Sequence, residues 1–197
     1  TPISCVTIGN PTVETVIGEN YYLHNGTNWD ITATDNDTVV GRNYVLSGVN
    51  TGTGTTLNGI RFNIGSTLVT WSAEDRSGNI ATCEFTVIVE DNENPHIGDS
   101  VSCEDIGNPV ICPNPGTNVY VHTGASWNVT ATDNDGIASF SYILTGATLG
   151  NGISLDGVSF NQGVTNVQWI AEDNSGNIDS CSFMVTVNST PEFAFAN

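Results

Sequence analysis

Oxygen ligands suited to a hard cation are concentrated in a few short blocks of this chain. Thr34-Asp35-Asn36-Asp37 and Thr132-Asp133-Asn134-Asp135 each set two carboxylates and an amide close together, Glu74-Asp75 and Glu172-Asp173 add adjacent pairs, and Glu90-Asp91-Asn92-Glu93 adds more. Carboxylates gathered at one point repel each other unless a cation sits among them, and Ca²⁺ takes about six to eight oxygens with tolerant geometry. Asp133 and Asp173 head the candidate ligands, with Asp91, Glu93 and Asp135 beside them and Asp35, Asp37 and Asp75 as their earlier counterparts. A second reading stays open, because Asp, Asn, Gly and Ser are also the residues that turns prefer.

Other chemistry is sparse. No Gly-x-Ser-x-Gly elbow, His-Glu-x-x-His pair or phosphate loop occurs, so no catalytic constellation is legible and the chain reads as a non-enzyme. His24 and His122 have no cysteine or second histidine at metal spacing, so a structural or solvent position is expected for them. The four tryptophans fall in phase with Val, Ile and Ala neighbours, which places them in a core and not on a sugar-binding platform.

The blocks recur because the chain recurs. One shift of 98 positions carries Cys5 to Cys103, Trp29 to Trp127, Trp71 to Trp169 and Cys83 to Cys181 without a gap. A unit of that size can bury its own core, so two domains are expected, residues 1–92 and 93–190, with 191–197 a tail that matches nothing in the repeat. An active site is built once and asymmetrically, whereas tandem copies argue for length, spacing or multivalent display. Four of the five cysteines obey the shift, and pairing Cys5 with Cys83 and Cys103 with Cys181 keeps one bridge inside each copy and treats both alike. Cys112 is left over, either as a free thiol or as a competitor for Cys103 or Cys181. Cysteine usage of this kind points to an oxidising, extracellular setting.

Composition narrows the partners. Three basic residues against 21 acidic ones give a net charge of −18. Such a surface repels a phosphate backbone or an anionic membrane, which excludes nucleic acid. No apolar run approaches a membrane span, so no membrane insertion of this stretch is expected; any signal peptide, anchor or further domain is expected outside it.

The positioning elements are strands. In Cys83 to Glu90 every second residue is apolar while Glu84, Thr86 and Glu90 point outward, which marks a half-buried last strand. Val69, Trp71 and Ala73 line the strand before it, Arg76-Ser77-Gly78-Asn79 turns between the two, Trp29, Ile31 and Ala33 line an early strand, and Tyr44-Val45-Leu46 marks another. Cys5 and Cys103 are expected a few residues into first strands that run parallel to the last. The class is all-β, two tandem immunoglobulin-like β-sandwich domains. In such a sandwich the loops that carry Asp133, Asp135 and Asp173 lie at the end where the chain enters the domain, toward Asp91 and Glu93. Glu74 and Glu172 are the doubtful ligands, since strand phase turns them outward.

Val69-Thr70-Trp71-Ser72-Ala73-Glu74-Asp75-Arg76-Ser77-Gly78-Asn79, followed by Cys83, Phe85, Val87 and Val89, resembles the end pattern of the hyalin-repeat (HYR) family, and Val167 to Val187 repeats it. The likeness covers almost the whole chain and is strongest to the repeats arrayed on giant surface adhesins of gliding Bacteroidetes. Where family members often carry a second cysteine pair, this chain has Asn20 and Asp37, then Asn118 and Asp135. The resemblance implies a non-catalytic segment of a cell-surface filament, with neighbouring repeats of the same chain as partners and surfaces or polysaccharide as further ones. A carbohydrate- or surface-binding module using loops such as Ser47 to Thr56, or an accessory region of a secreted enzyme, are the alternatives.

Overall fold

A computed structural model describes residues 7–189. The chain divides into two compact units, residues 1–92 and 93–197. Each unit is an all-β sandwich of the immunoglobulin or fibronectin kind. No helix among the described residues is long and apolar enough to cross a membrane.

In the first unit the strands are β1 (Thr12–Glu14), β2 (Tyr21–Leu23), β3 (Val39–Gly48), β4 (Gly52–Gly54), β5 (Arg61–Asn63), β6 (Gly65–Asp75) and β7 (Ile80–Glu90). The larger sheet has the order β1-β7-β6-β3-β4, and β2 pairs with β5 in the other layer. β1 runs parallel to β7, with Val13 opposite Val89, while the long β3, β6 and β7 are antiparallel. Alternation sets the core. Val69, Trp71 and Ala73 of β6 and Phe85, Val87 and Val89 of β7 are buried, while Glu84 and Glu90 between and beyond them are exposed. Tyr44 and Leu46 of β3 extend the same buried face, and Trp29, Ile31, Leu57 and Phe62 join them in the core. Full burial of such side chains stabilises by about 1.5–3 kcal/mol each.

The second unit repeats this with β8 (His96–Ile97), α1 (Cys103–Ile106), β9 (Val110–Ile111), β10 (Val119–Val121), β11 (Ala131–Thr132), β12 (Ile137–Gly146), β13 (Gly150–Gly152), β14 (Ser159–Asn161), β15 (Gly163–Asp173) and β16 (Ile178–Val187). Its sheets are β13-β12-β15-β16-β9, β10-β14 and β11-β8. A register shift interrupts β3 between Val39 and Gly41 and β12 between Ile137 and Ser139, the same place in both copies. The bulge bends the strand just beyond the acidic block that precedes it. Gly48 and Gly146 end these strands at φ 106° and 98°, where a Cβ would fall 2.6 and 2.5 Å from the carbonyl oxygens of Ser66 and Val164. Only glycine allows that approach.

Two expectations are corrected. Cys103 does not lie on a strand: it opens the single helical turn α1, capped by Ser102, whose hydroxyl accepts from the Asp105 amide while the Asp105 carboxylate accepts from the Ser102 amide. The parallel partner of the last strand comes later, at β9. The stretch Trp29 to Ala33 keeps its inward alternation without forming a strand; only Ala131–Thr132 in the second copy joins a ladder, with β8.

Cys103 and Cys181 form a disulfide, Sγ to Sγ 1.99 Å, linking α1 to β16. Cys83 is also disulfide-bonded; its expected partner Cys5 lies outside the described residues, as does the tail 191–197. Cys112 is a free, exposed thiol.

Candidate functional site

Strand ends and tight turns hold the acidic side chains. In the second unit β15 runs out on Asp173, and the turn to β16 folds back over it. The Asp173 carboxylate accepts from the amides of Ser175 (2.9 Å) and Asn177 (2.8 Å) through one oxygen and from the Asn177 side-chain amide (2.9 Å) through the other. Asp133 follows β11 and accepts from the Asp135 amide at 2.7 Å, a local Asx turn. Asp135 in turn accepts from the Ser175 hydroxyl at 2.8 Å, which ties the two loops together. One carboxylate oxygen of Asp133 and one of Asp173 lie within 4.8 Å. The antiparallel register of β8 with β11 sets Thr132 against His96, so Asp133 continues toward Pro95, where the chain enters the unit.

The first unit builds the same corner. Asp75 at the end of β6 accepts from the amide and side chain of Asn79, Asp35 accepts from the Asp37 amide, and Asp37 accepts from the Ser77 hydroxyl. The Asn79 side chain, then its backbone amide, hold the Asp75 carboxyl below the usual range, and the neighbouring charge of Asp35 works against them.

Turn chemistry is therefore filled at every one of these positions, and each carboxylate keeps lone pairs beyond its turn contacts. Within the second unit, Asp133 and Asp173 are carboxylates that could coordinate a metal ion. Asp91 itself accepts from the Thr15 hydroxyl at 3.3 Å within the first unit. Glu93 is half-buried in the entering segment, whereas Glu74 and Glu172 are exposed, as strand phase requires.

The aromatic residues are occupied by packing. Trp29, Trp71 and Trp169 are buried and Trp127 is half-buried against the second core. The Trp71 indole donates to the Trp29 carbonyl at 3.1 Å. The Trp169 indole nitrogen is buried with no hydrogen-bond partner, and Phe140 stacks at 5.0 Å on its ring. The position of Phe140 is that of Arg42 in the first copy, which instead donates to the Ile31 carbonyl. Residue types alone also missed how completely His24 and His122 are enclosed: each is buried and lies flat on Trp29 or Trp127, at 3.9 and 4.0 Å. The signal was available in the spacing His-x₄-Trp, repeated in both copies.

The HYR domain family matches residues 24–89 and 122–187. Hyalin of Lytechinus variegatus is 34% identical over 131 residues, which take in 65% of this chain and 21% of hyalin. Among solved structures, the fibronectin(III)-like modules of Clostridium thermocellum CbhA align over 95% of this chain and 94% of theirs at 15% identity and a TM-score of 0.35. Domains EC22–24 of mouse cadherin-23 align over 94% and 65% at 18% identity and a TM-score of 0.36. The family match covers both copies of the core, from the buried histidine to the last strand, and the chain belongs to the HYR family as two tandem, non-catalytic structural modules.

Proposed function

We propose that these two modules are a segment of a long extracellular filament, of the SprB-type gliding-motility adhesin kind, that carries an adhesive region away from the cell surface. The observation that carries this reading is the repetition itself: both copies rebuild the same sheet order, the same bulge and the same acidic corner. Disulfides and a lysine-free acidic surface suit an oxidising exterior. Shear along such a filament is borne by the parallel edge pairs β1-β7 and β9-β16 and by the bridge beside them. Deleting pairs of repeats from the parent protein is expected to shorten its reach on the cell while leaving its target unchanged. Loss of binding to a defined polysaccharide, with reach intact, would instead make these modules the binding element.

Calcium at the acidic corner belongs to the same reading. Asp133 and Asp173 supply the core of the ligand set, and Glu93 and Asp135 of the same unit complete it; Asp35, Asp37 and Asp75 form the equivalent half-site in the first unit. Mg²⁺ substitutes poorly, because it demands near-octahedral geometry and gives up water reluctantly. Isothermal titration with Ca²⁺ should show binding that is lost in the Asp133→Asn, Asp173→Asn variant, and chelator should lower the melting temperature of the second unit. If millimolar calcium or chelator changes neither heat nor melting, the corner is turn chemistry alone.

A further inference from the structure

His24 sits where three segments meet. Its amide donates to the Ile60 carbonyl and its carbonyl accepts from the Gly59 amide, which stitches the end of β2 to the turn before β5. Its ring lies parallel to Trp29 at 3.9 Å, and Trp29 packs edge-on against Phe62 and Phe85 in the middle of the core. His122 repeats this with Val158, Gly157, Trp127, Phe160 and Phe183. Residue exposure is 1% at His24 and 3% at His122, and no ring nitrogen of either meets a hydrogen-bond partner. A neutral imidazole fits that space as an aromatic plate. An imidazolium there carries two N–H donors and a charge into a site poor in acceptors, with the Gly124 carbonyl beside His122 as a partial exception.

The charged groups around each ring show a compensating exchange. In the first unit the segment after β2 contributes Asp30, the turn before β5 contributes neutral Asn58, and β2 contributes Tyr22. In the second the same places hold neutral Asn128, charged Asp156 and Tyr120. The local bonds are indifferent to the swap: Asp30 and Asn128 each accept from a leucine amide at 2.8 Å, and Asn58 and Asp156 each accept from a glycine amide at 2.8 and 2.7 Å. What is preserved is one carboxylate acting on each buried histidine.

We propose that His24 and His122 are twin acid-released clasps, each holding its sandwich shut while neutral and loosening the β2-to-β5 layer when protonated. Burial lowers the affinity of both imidazoles for a proton, and Asp30 or Asp156, with the Gly124 carbonyl in the second unit, pulls it partly back. The single carboxylate thus opposes the effect of burial at each ring. The stacked indole adds a weaker attraction for the cation. The sign follows: the folded state binds fewer protons than the unfolded one, so stability is full above the ordinary histidine range near 6.5 and falls as pH drops from there through the folded value.

The intact chain, labelled at histidine, is titrated from pH 8 to 4 by NMR beside the same chain in urea, with His96 assigned separately. The expected result is that His24 and His122 keep neutral shifts well below the urea titration, and that amide exchange at Gly59, Ile60, Gly157 and Val158 accelerates as they protonate. Asp30→Asn, which the second copy shows to be compatible with the leucine cap, should move the His24 step to lower pH and leave His122 in place; Asp156→Asn should do the reverse. Titration of both rings together with the urea sample while amide protection persists overturns the proposal. So does a His24 step that Asp30→Asn leaves unmoved.

Discussion

The Cys103–Cys181 bridge offers the most quantitative test of how these modules are held. The two residues are 78 positions apart, so the bond closes most of the second unit into one loop. In the chain-entropy account, a loop of that length removes unfolded-state freedom worth about 4.5 kcal/mol at 25 °C. A unit of roughly 100 residues unfolds with an entropy of about 0.2 kcal/mol/K, so losing the bridge should lower its melting temperature by about 20 °C. Cys103 is also buried against the core, so the double change Cys103→Ala, Cys181→Ala adds a small packing loss that reduction of the native chain does not. Differential scanning calorimetry of the oxidised, reduced and double-alanine chains separates these contributions. The double variant should shift one transition only, because the first unit keeps its own bonded Cys83. A drop of less than about 5 °C in both the reduced and the substituted second unit would refute the entropic reasoning. Bridging through Cys112 in the oxidised protein would refute the pairing itself.

Trp71→Phe should destabilise the first unit by about 1–3 kcal/mol more than Trp169→Phe destabilises the second, measured by urea unfolding, because only Trp71 leaves a bonded carbonyl without its donor. Asn79→Ala removes the main cause of the lowered Asp75 pKa, and a carboxyl with a lowered pKa contributes stability above its unfolded value that is lost as pH falls through the folded one. That variant should therefore be weaker at pH 7 and closer to the parent near pH 3, read as urea midpoints. Calcium should raise the melting temperature of the second unit in proportion to the logarithm of its concentration, and Asp173→Asn should abolish the rise.

Features that repeat along the chain were open to reading from residue order alone. The 98-residue shift, the period-two alternation of Val69 to Ala73 and Phe85 to Val89, and the inward phase of the tryptophans all express local geometry, since neighbours on a strand point to opposite faces wherever the strand sits. Asp133, Asp173, Asp35 and Asp75 could be named as loop carboxylates for the same reason. Tertiary structure decided whatever depends on partners far away in sequence. The three-residue strand β2 is too short to announce a period and exists through its pairing with β5. Cys103 lies on a helical turn because Ser102 and Asp105 cap one another there, and the strand expected at that place forms later. Trp169 lacks a carbonyl partner that Trp71 has, and the serine-to-aspartate bond that ties each acidic corner together joins loops some 40 residues apart. The histidines make the distinction plainest: His-x₄-Trp is visible in the sequence, but enclosure by β5 and the last strand removes water from the ring, and that enclosure is a property of the packed sandwich.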